Sequence, residues 1–380
     1  MPVHDFTVDV PAAVVDDLRQ RLRLTRWPDQ IPGSGWSRGT DADYLRDVVD
    51  HWATDYDWPA AQNRLNAFRH LLVDVGDPEG AVVHVVHEKG EIDGALPVAL
   101  LHGWPSSFVQ MLPLLPLLTH PSRHGADAED AFDVVALSLP GYGFSSRPTA
   151  PGWDLRRIAE AVLEVMTALG YDTFAARGSD LGAGVLQQLA LGHPDRLRAL
   201  HLSGTNPYLG PIPADLTDDE REFVAQAQDW NVREMAYAME QSTKPQTLAF
   251  ALNDSPAGLA AWILEKFNAW SDCRGDLESV YSRDDLLTNL TLYWVTETIG
   301  SSMRLYYEAA NSTTAAYGRV EVPTGMAMSA RDMFPTPRSW AERSYNVTHW
   351  TEIPVGGHFL EWEVPNLVAI DMRDFFRDHR

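Results

Sequence analysis

Five residues near the middle of the chain, Gly178-Ser179-Asp180-Leu181-Gly182, constrain the fold more than any other stretch. Residues 172–177 before them have the pattern of a short strand, and residues 183–190 after them have the pattern of a helix. A strand that turns sharply into a helix holds its middle residue in a strained, exposed position, and flanking glycines avoid side-chain clashes in so tight a turn. The middle residue is Asp180, because Ser179 is out of register with the small-residue pattern. If the corner forms, the nucleophile is a carboxylate.

Strand and helix patterns alternate around this corner. Apolar runs bounded by turn residues predict strands at 71–75, 81–87, 96–101, 132–139, 173–177 and 198–203, with a turn at 76–80 and helices at 106–118, 154–169 and 183–192. Further strands at 319–328 and 348–354 and a helix at 364–377 end the chain. Such alternation predicts a mostly parallel sheet covered by helices on both faces.

Two regions depart from the alternation. Residues 1–75 contain helices at 11–23 and 41–56 and are expected to form an N-terminal arm that wraps the core. Residues 206–312 are almost entirely helical after a loop at 207–213, and they are dense in tyrosine and tryptophan. We therefore expect an inserted helical cap at 206–312, between core segments at 76–205 and 313–380.

Charge and cysteine content exclude several classes of protein. A net charge of −23 and a pI near 4.8 argue against partners that are nucleic acids or anionic membranes. The single cysteine, Cys273, allows no disulfide within the chain, which suits a reducing cytosol. No signal peptide and no apolar run of transmembrane length are evident. A cytoplasmic location is expected.

Two further motifs follow predicted strands. His102-Gly103-Trp104-Pro105 comes directly after strand 96–101, where the backbone N–H of Trp104 can form one half of an oxyanion hole; the alternative is an ordinary Gly-Pro turn. Gly356-Gly357-His358-Phe359 follows the last predicted strand, where an α/β-hydrolase keeps its base. Asp332, after strand 319–328, is the natural acid to orient His358, with Glu342 and Glu352 as alternatives.

An aspartate nucleophile narrows the chemistry. A serine that attacked a saturated carbon would form an ether, whereas a carboxylate forms an ester that water can cleave. Asp180 therefore indicates displacement at an alkyl carbon, followed by ester hydrolysis with His358 as general base. The leaving group is either a halide, held by indole N–H groups, or an epoxide oxygen, protonated by tyrosines. A non-catalytic binding protein on the same scaffold ranks last, because no catalytic part is missing.

The whole chain resembles the microsomal-type epoxide hydrolases, which include the insect juvenile-hormone epoxide hydrolases and have the α/β-hydrolase fold. The stretches that carry the resemblance lie in the arm, the cap and the last core segment: Arg26-Trp-Pro-Asp-Gln, Trp36-Ser-Arg-Gly-Thr-Asp, Thr243-Lys-Pro245, Ala251-Leu-Asn-Asp-Ser-Pro256, Leu264-Glu-Lys-Phe267, Asp285-Leu-Leu-Thr-Asn289, Val322-Pro-Thr-Gly325 and Gly356-Gly-His-Phe359. The resemblance implies that Asp180 is the nucleophile, His358 the base and Asp332 the acid.

The resemblance also implies roles in the cap and at the elbow. Tyr237 and Tyr306 match the two tyrosines that hydrogen-bond the epoxide oxygen, although Tyr307 is adjacent and is easily confused with Tyr306. Leu181 stands where many relatives have tryptophan; its N–H still serves as the second oxyanion donor beside that of Trp104. The missing indole also weakens the alternative of a haloalkane dehalogenase.

The predicted reaction converts an epoxide and water to a vicinal diol without a metal or organic cofactor. The aromatic-rich cap predicts a bulky apolar or aromatic epoxide as substrate. We expect the chain to lack the N-terminal membrane anchor of the animal enzymes, as soluble bacterial relatives do. Assembly of identical subunits is compatible with the sequence.

Overall fold

A computed structural model describes residues 1–76, 80–203, 212–333 and 335–380. Within these ranges nine strands form one sheet: β1 Val3–Phe6, β2 His70–Val75, β3 Ala81–Glu88, β4 Leu96–Leu101, β5 Phe132–Leu137, β6 Phe174–Ser179, β7 Leu197–Ser203, β8 Val320–Ser329 and β9 Tyr345–Ile353. The strand order is β1-β2-β3-β5-β4-β6-β7-β8-β9. The first four strands of that order pair antiparallel, and every later pair is parallel. The mostly parallel sheet predicted from the alternation is confirmed.

Helices lie before, between and after the strands along the chain. Their bounds are α1 Ala12–Arg23, α2 Ala42–Thr54, α3 Trp58–Leu65, α4 Leu114–Thr119, α5 Leu155–Ala168, α6 Asp180–Gly192, α7 Asp218–Glu234, α8 Ala236–Thr243, α9 Pro245–Leu252, α10 Pro256–Trp270, α11 Arg283–Val295, α12 Ile299–Ala310, α13 Arg338–Ser344, α14 Leu360–Glu363 and α15 Pro365–Phe376. Helix α5 packs against α6, and α15 packs against α4. These two groups cover the sheet, whose central strands are buried along their length.

Parallel strands bring distant loops to one edge of the sheet. The segments that follow β4, β6, β8 and β9 all leave the sheet at its carboxyl-terminal edge. Ligands of open α/β sheets bind at this edge, since the loops that leave it converge there. The His-Gly-Trp-Pro turn, the Asp180 corner, Asp332 and the Gly-Gly-His loop therefore share one side of the molecule.

The cap and the N-terminal arm lie against each other. Helices α8 and α9 pack on α12, while α1 and α2 pack on α10. Trp52 in the arm donates its indole N–H to the Thr291 hydroxyl at 2.9 Å, and Tyr56 is 3.0 Å from the Thr288 hydroxyl. The arm is thus joined to the cap by buried side chains. The division into four segments stays a prediction, and its 205/206 boundary lies outside the described residues, as do most of the expected turn at 76–80 and loop at 207–213.

Some local predictions differ from the structure. The helix predicted over 106–118 is split into a 3₁₀ turn, Phe108–Met111, and α4. Pro113 lies between them; because proline lacks an N–H, it cannot continue the helical ladder. Strand β1 lacks an apolar run and exists by pairing with β2 from Val3↔Val73 to Phe6↔His70. Within the described ranges, no helix is long and apolar enough to cross a membrane.

Candidate active site

The corner at Asp180 forms as the glycine pattern predicts. Strand β6 ends at Ser179 and α6 begins at Asp180, whose φ of 51° lies in the left-handed region that non-glycine residues rarely adopt. A Cβ on Gly178 would lie 2.9 Å from the backbone of Gly182, and one on Gly182 would lie 2.8 Å from the His102 carbonyl. Close packing against these atoms therefore requires glycine at both flanks. The strained turn holds Asp180 over the sheet edge.

The His-Gly-Trp-Pro turn meets the carboxylate of Asp180. The backbone N–H of Trp104 donates to Asp180 Oδ1 at 3.0 Å. A Cβ on Gly103 would overlap the same carboxylate, so glycine permits this close approach. The Trp104–Pro105 bond, which the sequence leaves open, is cis. Leu181 lies in the first turn of α6, where backbone N–H groups have no partner within the helix, so its N–H remains available.

His358 lies between two carboxylates. Its Nδ1 is 2.8 Å from Asp332 Oδ1, and its Nε2 is 3.4 Å from Asp180 Oδ2. Its backbone N–H donates to the Trp270 carbonyl at 2.8 Å. Burial disfavours the charged ring, but the two carboxylates outweigh burial and raise the pKa of His358 above its usual range. Within the described residues Nε2 makes no hydrogen bond, and it faces the Asp180 carboxylate.

The structure distinguishes among the three candidate acids. Asp332 is the one placed against His358, and its side chain is buried with it. Glu342 instead accepts a hydrogen bond from Arg338 within α13, and Glu352 lies in β9. Geometry therefore favours Asp332 as the orienting acid.

Two tyrosines of the cap, the buried Tyr237 and the partly buried Tyr306, face this group. The Tyr237 ring stacks on that of Trp104 (centroids 5.3 Å apart, planes at 9°), and Tyr306 lies edge-on to Trp104 at 6.0 Å. The two tyrosine rings are 6.0 Å apart. Burial, and after it the negative charge of Asp180, raises the pKa of Tyr237; burial likewise raises that of Tyr306. Both phenols therefore stay protonated at neutral pH, whereas the adjacent Tyr307 is 41% exposed.

Trp270 completes the aromatic wall and was not singled out from the sequence. Its ring is 5.2 Å from that of Tyr237 and 5.5 Å from that of His358. It is one of 13 tryptophans, so composition alone does not distinguish it from core residues. Its position at the end of α10, against the histidine loop, is a product of tertiary packing.

Sequence reasoning also missed a buried ion pair beneath the site. Arg177 and Glu361 are both fully buried, with nitrogen and oxygen 2.8 Å apart. Glu361 also accepts a hydrogen bond from Gln110 at 2.6 Å. Burial by itself would raise the pKa of Glu361, but the charge of Arg177 and the hydrogen bonds outweigh it and lower that pKa. An arginine inside an otherwise apolar strand was the available signal.

This ion pair joins three segments that carry candidate site residues. Arg177 lies three residues before Asp180, and Glu361 lies three residues after His358. Gln110 belongs to the 3₁₀ turn that follows the Trp104 loop. The carboxylate of Glu361 therefore connects the Asp180 corner, the loop that contains His358 and the segment that follows Trp104.

The arrangement suits nucleophilic catalysis by a carboxylate. Asp180 is accessible at its corner, a base oriented by an acid lies beside it, and a backbone N–H holds one of its oxygens. Among the described side chains, no group of three His, Cys, Asp or Glu residues is arranged to hold a metal ion.

The sheet topology and a nucleophile corner with its histidine at the strand ends define an α/β hydrolase. Residues 97–294 match the family model described as alpha/beta hydrolase fold. Residues 3–111 match the model described as epoxide hydrolase N terminus. The predicted fold is thus confirmed, and the second match narrows the class of enzyme.

Relatives that match over nearly the whole chain are also named as epoxide hydrolases. A Stigmatella aurantiaca protein named as an epoxide hydrolase is 42% identical over 100% of this chain and 86% of its own length. Epoxide hydrolase 1 of Oryctolagus cuniculus is 33% identical over 98% of this chain and 88% of its own length. The crystal structure of juvenile hormone epoxide hydrolase from Bombyx mori superposes with a TM-score of 0.86 at 29% identity, covering 100% of this chain and 94% of that one. The chain belongs to the epoxide hydrolase family, as the resemblance predicted, and the dehalogenase alternative is not favoured.

Proposed function

We propose that the chain hydrolyses an epoxide to a vicinal diol through an ester on Asp180. The observation that carries the proposal is the unequal environment of the two Asp180 oxygens. Oδ1 accepts a hydrogen bond from the Trp104 N–H at 3.0 Å, whereas Oδ2 lies 3.4 Å from His358 Nε2. One oxygen is thus anchored while the other is left to attack.

Ring opening is the first step. Asp180 Oδ2 attacks an epoxide carbon, the C–O bond on the opposite side breaks, and the departing oxygen takes a proton from Tyr237 or Tyr306. Phenols with raised pKa values are protonated before the reaction and donate as negative charge develops on the oxygen. The product is a hydroxyalkyl ester whose carbonyl oxygen is Oδ1.

Ester hydrolysis is the second step. His358 Nε2 removes a proton from water, and the water oxygen attacks Cγ of Asp180. The charge that forms on Oδ1 is held by the N–H groups of Trp104 and Leu181. The tetrahedral species then releases the diol, whose alkoxide takes the proton from His358. The tyrosinate left by ring opening regains its proton from solvent, and the Asp180 carboxyl group releases the second proton of the water to solvent, which restores the starting state. Asp332 holds the ring in the tautomer that leaves Nε2 free and stabilises the charged imidazole.

The walls of the site support a bulky apolar or aromatic epoxide as substrate. A cluster of four aromatic rings lies beside Asp180: Trp104, Trp270 and Tyr237 are buried, and Tyr306 is partly buried. One structural neighbour is named for juvenile hormone. The proposed steps need no metal or organic cofactor. A cytoplasmic location and an assembly of identical subunits stay predictions.

A single-turnover experiment in ¹⁸O-labelled water tests the mechanism. With enzyme in excess over an aromatic epoxide such as styrene oxide, the first diol should carry no label from water, and Asp180 should gain one ¹⁸O, detected by peptide mass spectrometry. Label that enters the first diol directly would refute the covalent step. Asp180→Asn should lose activity, with its circular dichroism spectrum unchanged.

Asp332→Asn tests the second step separately. The amide keeps the shape of the carboxylate but cannot stabilise the charged imidazole, so ester hydrolysis should slow by roughly 10²–10⁴-fold. The ester should then accumulate and appear in the intact mass as enzyme plus epoxide. An unmodified mass together with normal turnover would contradict the role given to Asp332.

A further inference from the structure

A buried cation lies beside the catalytic tyrosine of the cap. Lys266, in α10, is one of three lysines in the chain and is only 5% exposed. An ammonium group is costly to bury unless other groups compensate for the lost water. The steps proposed above do not use this residue, so its burial needs another explanation.

The Lys266 ammonium lies over two rings of the active-site wall. Its Nζ is 4.9 Å from the centroid of Tyr237 and 5.8 Å from that of Trp270. Both distances fall in the range in which a cation is attracted to the face of an aromatic ring. The cation is therefore in direct contact with the phenol that is proposed to protonate the epoxide oxygen.

The counter-ion of Lys266 is its neighbour, Glu265, at 2.5 Å. The Glu265 side chain is 23% exposed and lines a cavity of about 490 Å³ between α10 and the loop that contains Trp27 and Arg38. The Glu265 carboxylate still acts on Tyr237 and raises its pKa, though less than burial and the charge of Asp180 do. The ammonium over the ring acts in the opposite sense and favours negative charge on the phenol oxygen.

Ring opening changes the charge at Tyr237, whereas ester hydrolysis does not. Before the reaction the phenol is neutral, and as it donates its proton, negative charge builds up on its oxygen and ring. A cation fixed over the ring stabilises that charge more in the transition state than in the ground state, and only such differential stabilisation accelerates a step.

We propose that Lys266 is a positioning residue for the first step, which acts through Tyr237 to favour proton donation to the epoxide oxygen. This inference rests on the proposed function, because it assumes that Tyr237 donates during ring opening. Lys266 touches neither substrate nor His358 in this role. Its effect is confined to ester formation.

The test measures the two steps separately in Lys266→Met, which keeps the length and apolar character of the stem but removes the charge. Rapid quench followed by intact mass spectrometry gives the rates of ester formation and ester hydrolysis with styrene oxide. Ester formation should slow about tenfold, as expected for the loss of a desolvated cation–π contact. Ester hydrolysis should remain within about twofold of wild type. Lys266→Arg should restore most of the rate, since it returns a cation to the ring.

Two controls separate charge from structure. Lys244→Met removes an exposed lysine of the same cap and should leave both steps unchanged. In a Tyr237→Phe background, Lys266→Met should cause no further loss, because the group through which it acts is gone. Glu265→Gln should not slow ester formation, since it removes the opposing charge and leaves the cation; this variant serves as the test if Lys266→Met does not fold.

The outcomes that overturn the proposal are specific. Three results would each refute it. The first is equal slowing of both steps in Lys266→Met, and the second is a slowing of about tenfold by Lys266→Met that persists in the Tyr237→Phe background. The third is slow ester formation in Glu265→Gln. Wild type that forms ester and diol, with Lys266→Met equally fast, would refute this inference and leave the proposed function intact. Wild type that forms no ester would refute the proposed function itself.

Discussion

The buried pair of Arg177 and Glu361 gives a prediction that links stability to the site. Glu361→Leu should leave the Arg177 guanidinium fully buried without an anion, although the guanidinium keeps its contacts to His201 Nδ1 at 2.5 Å and to the Ser203 hydroxyl at 2.6 Å. Breaking a buried ion pair on one side costs about 3–5 kcal/mol. The Gln110 amide also loses its acceptor, so we expect a loss of about 4 kcal/mol in the free energy of unfolding.

The same loss of unfolding free energy can be expressed as a decrease in melting temperature. An unfolding entropy of about 2.1 cal/mol/K per residue gives roughly 0.8 kcal/mol/K for 380 residues. A loss of about 4 kcal/mol therefore lowers Tm by about 5 °C. Thermal unfolding followed by calorimetry or circular dichroism at pH 7 measures this shift. Diol formation should also fall, because the pair joins the segments of Asp180 and His358.

The double variant Arg177→Met/Glu361→Leu is the decisive comparison. Replacing both partners by apolar side chains of similar volume removes the buried charge, and such replacements are often neutral or stabilising. The remaining losses are the hydrogen bonds of Gln110, His201 and Ser203, so the double variant should recover at least half of the lost Tm. A double variant as unstable as Glu361→Leu would refute the reasoning that an unpaired buried charge is the cause.

Two further predictions concern the catalytic carboxylate. Gly103→Ala should lower kcat about hundredfold with little change in Tm, because the new methyl displaces the Asp180 carboxylate from the Trp104 N–H; activity within about threefold of wild type would contradict the geometry. Asp180→Asn should lower the pKa of His358, measured by histidine NMR, since one of the two carboxylates that raise it becomes neutral. A pKa raised in the folded state stabilises the fold below the unfolded value of 6.5, and this contribution is lost as pH rises through the folded pKa. The Tm difference between wild type and Asp180→Asn should therefore shrink as pH rises. A difference that stays constant with pH would argue against the pairing of Asp180 with His358.

Much of the fold was predictable because its signals are local. The runs that form β4 and β6 are short, apolar and bounded by turn residues, and the Asp180 corner shows its own glycine spacing. In contrast, β1 has an exposed, polar sequence and is a strand because β2 offers it hydrogen bonds. Pairing between segments far apart in the chain leaves no periodic signal in the weaker partner.

The residues of the candidate site also differ in whether a local sequence signal predicted them. Asp180, His358 and the Trp104 turn were found from motifs, since tight turns and close backbone approaches demand glycine at fixed offsets. Asp332 was preferred over Glu342 and Glu352 because it follows a predicted strand, and the structure places it 2.8 Å from His358. The tyrosines followed from resemblance to a family, because nothing in the local pattern of a helical cap distinguishes a proton donor from a core residue.

The sequence by itself predicted the kind of chemistry, because the residue at the nucleophile corner is a carboxylate and a carboxylate suits displacement at a saturated carbon. It also determined the parallel core, whose strands and helices carry their own periodicity. Only the tertiary structure decided which side chains surround that carboxylate. Trp270, Lys266 and the Arg177–Glu361 pair meet the candidate site through packing of segments that are far apart in the chain, and no local pattern predicts such contacts.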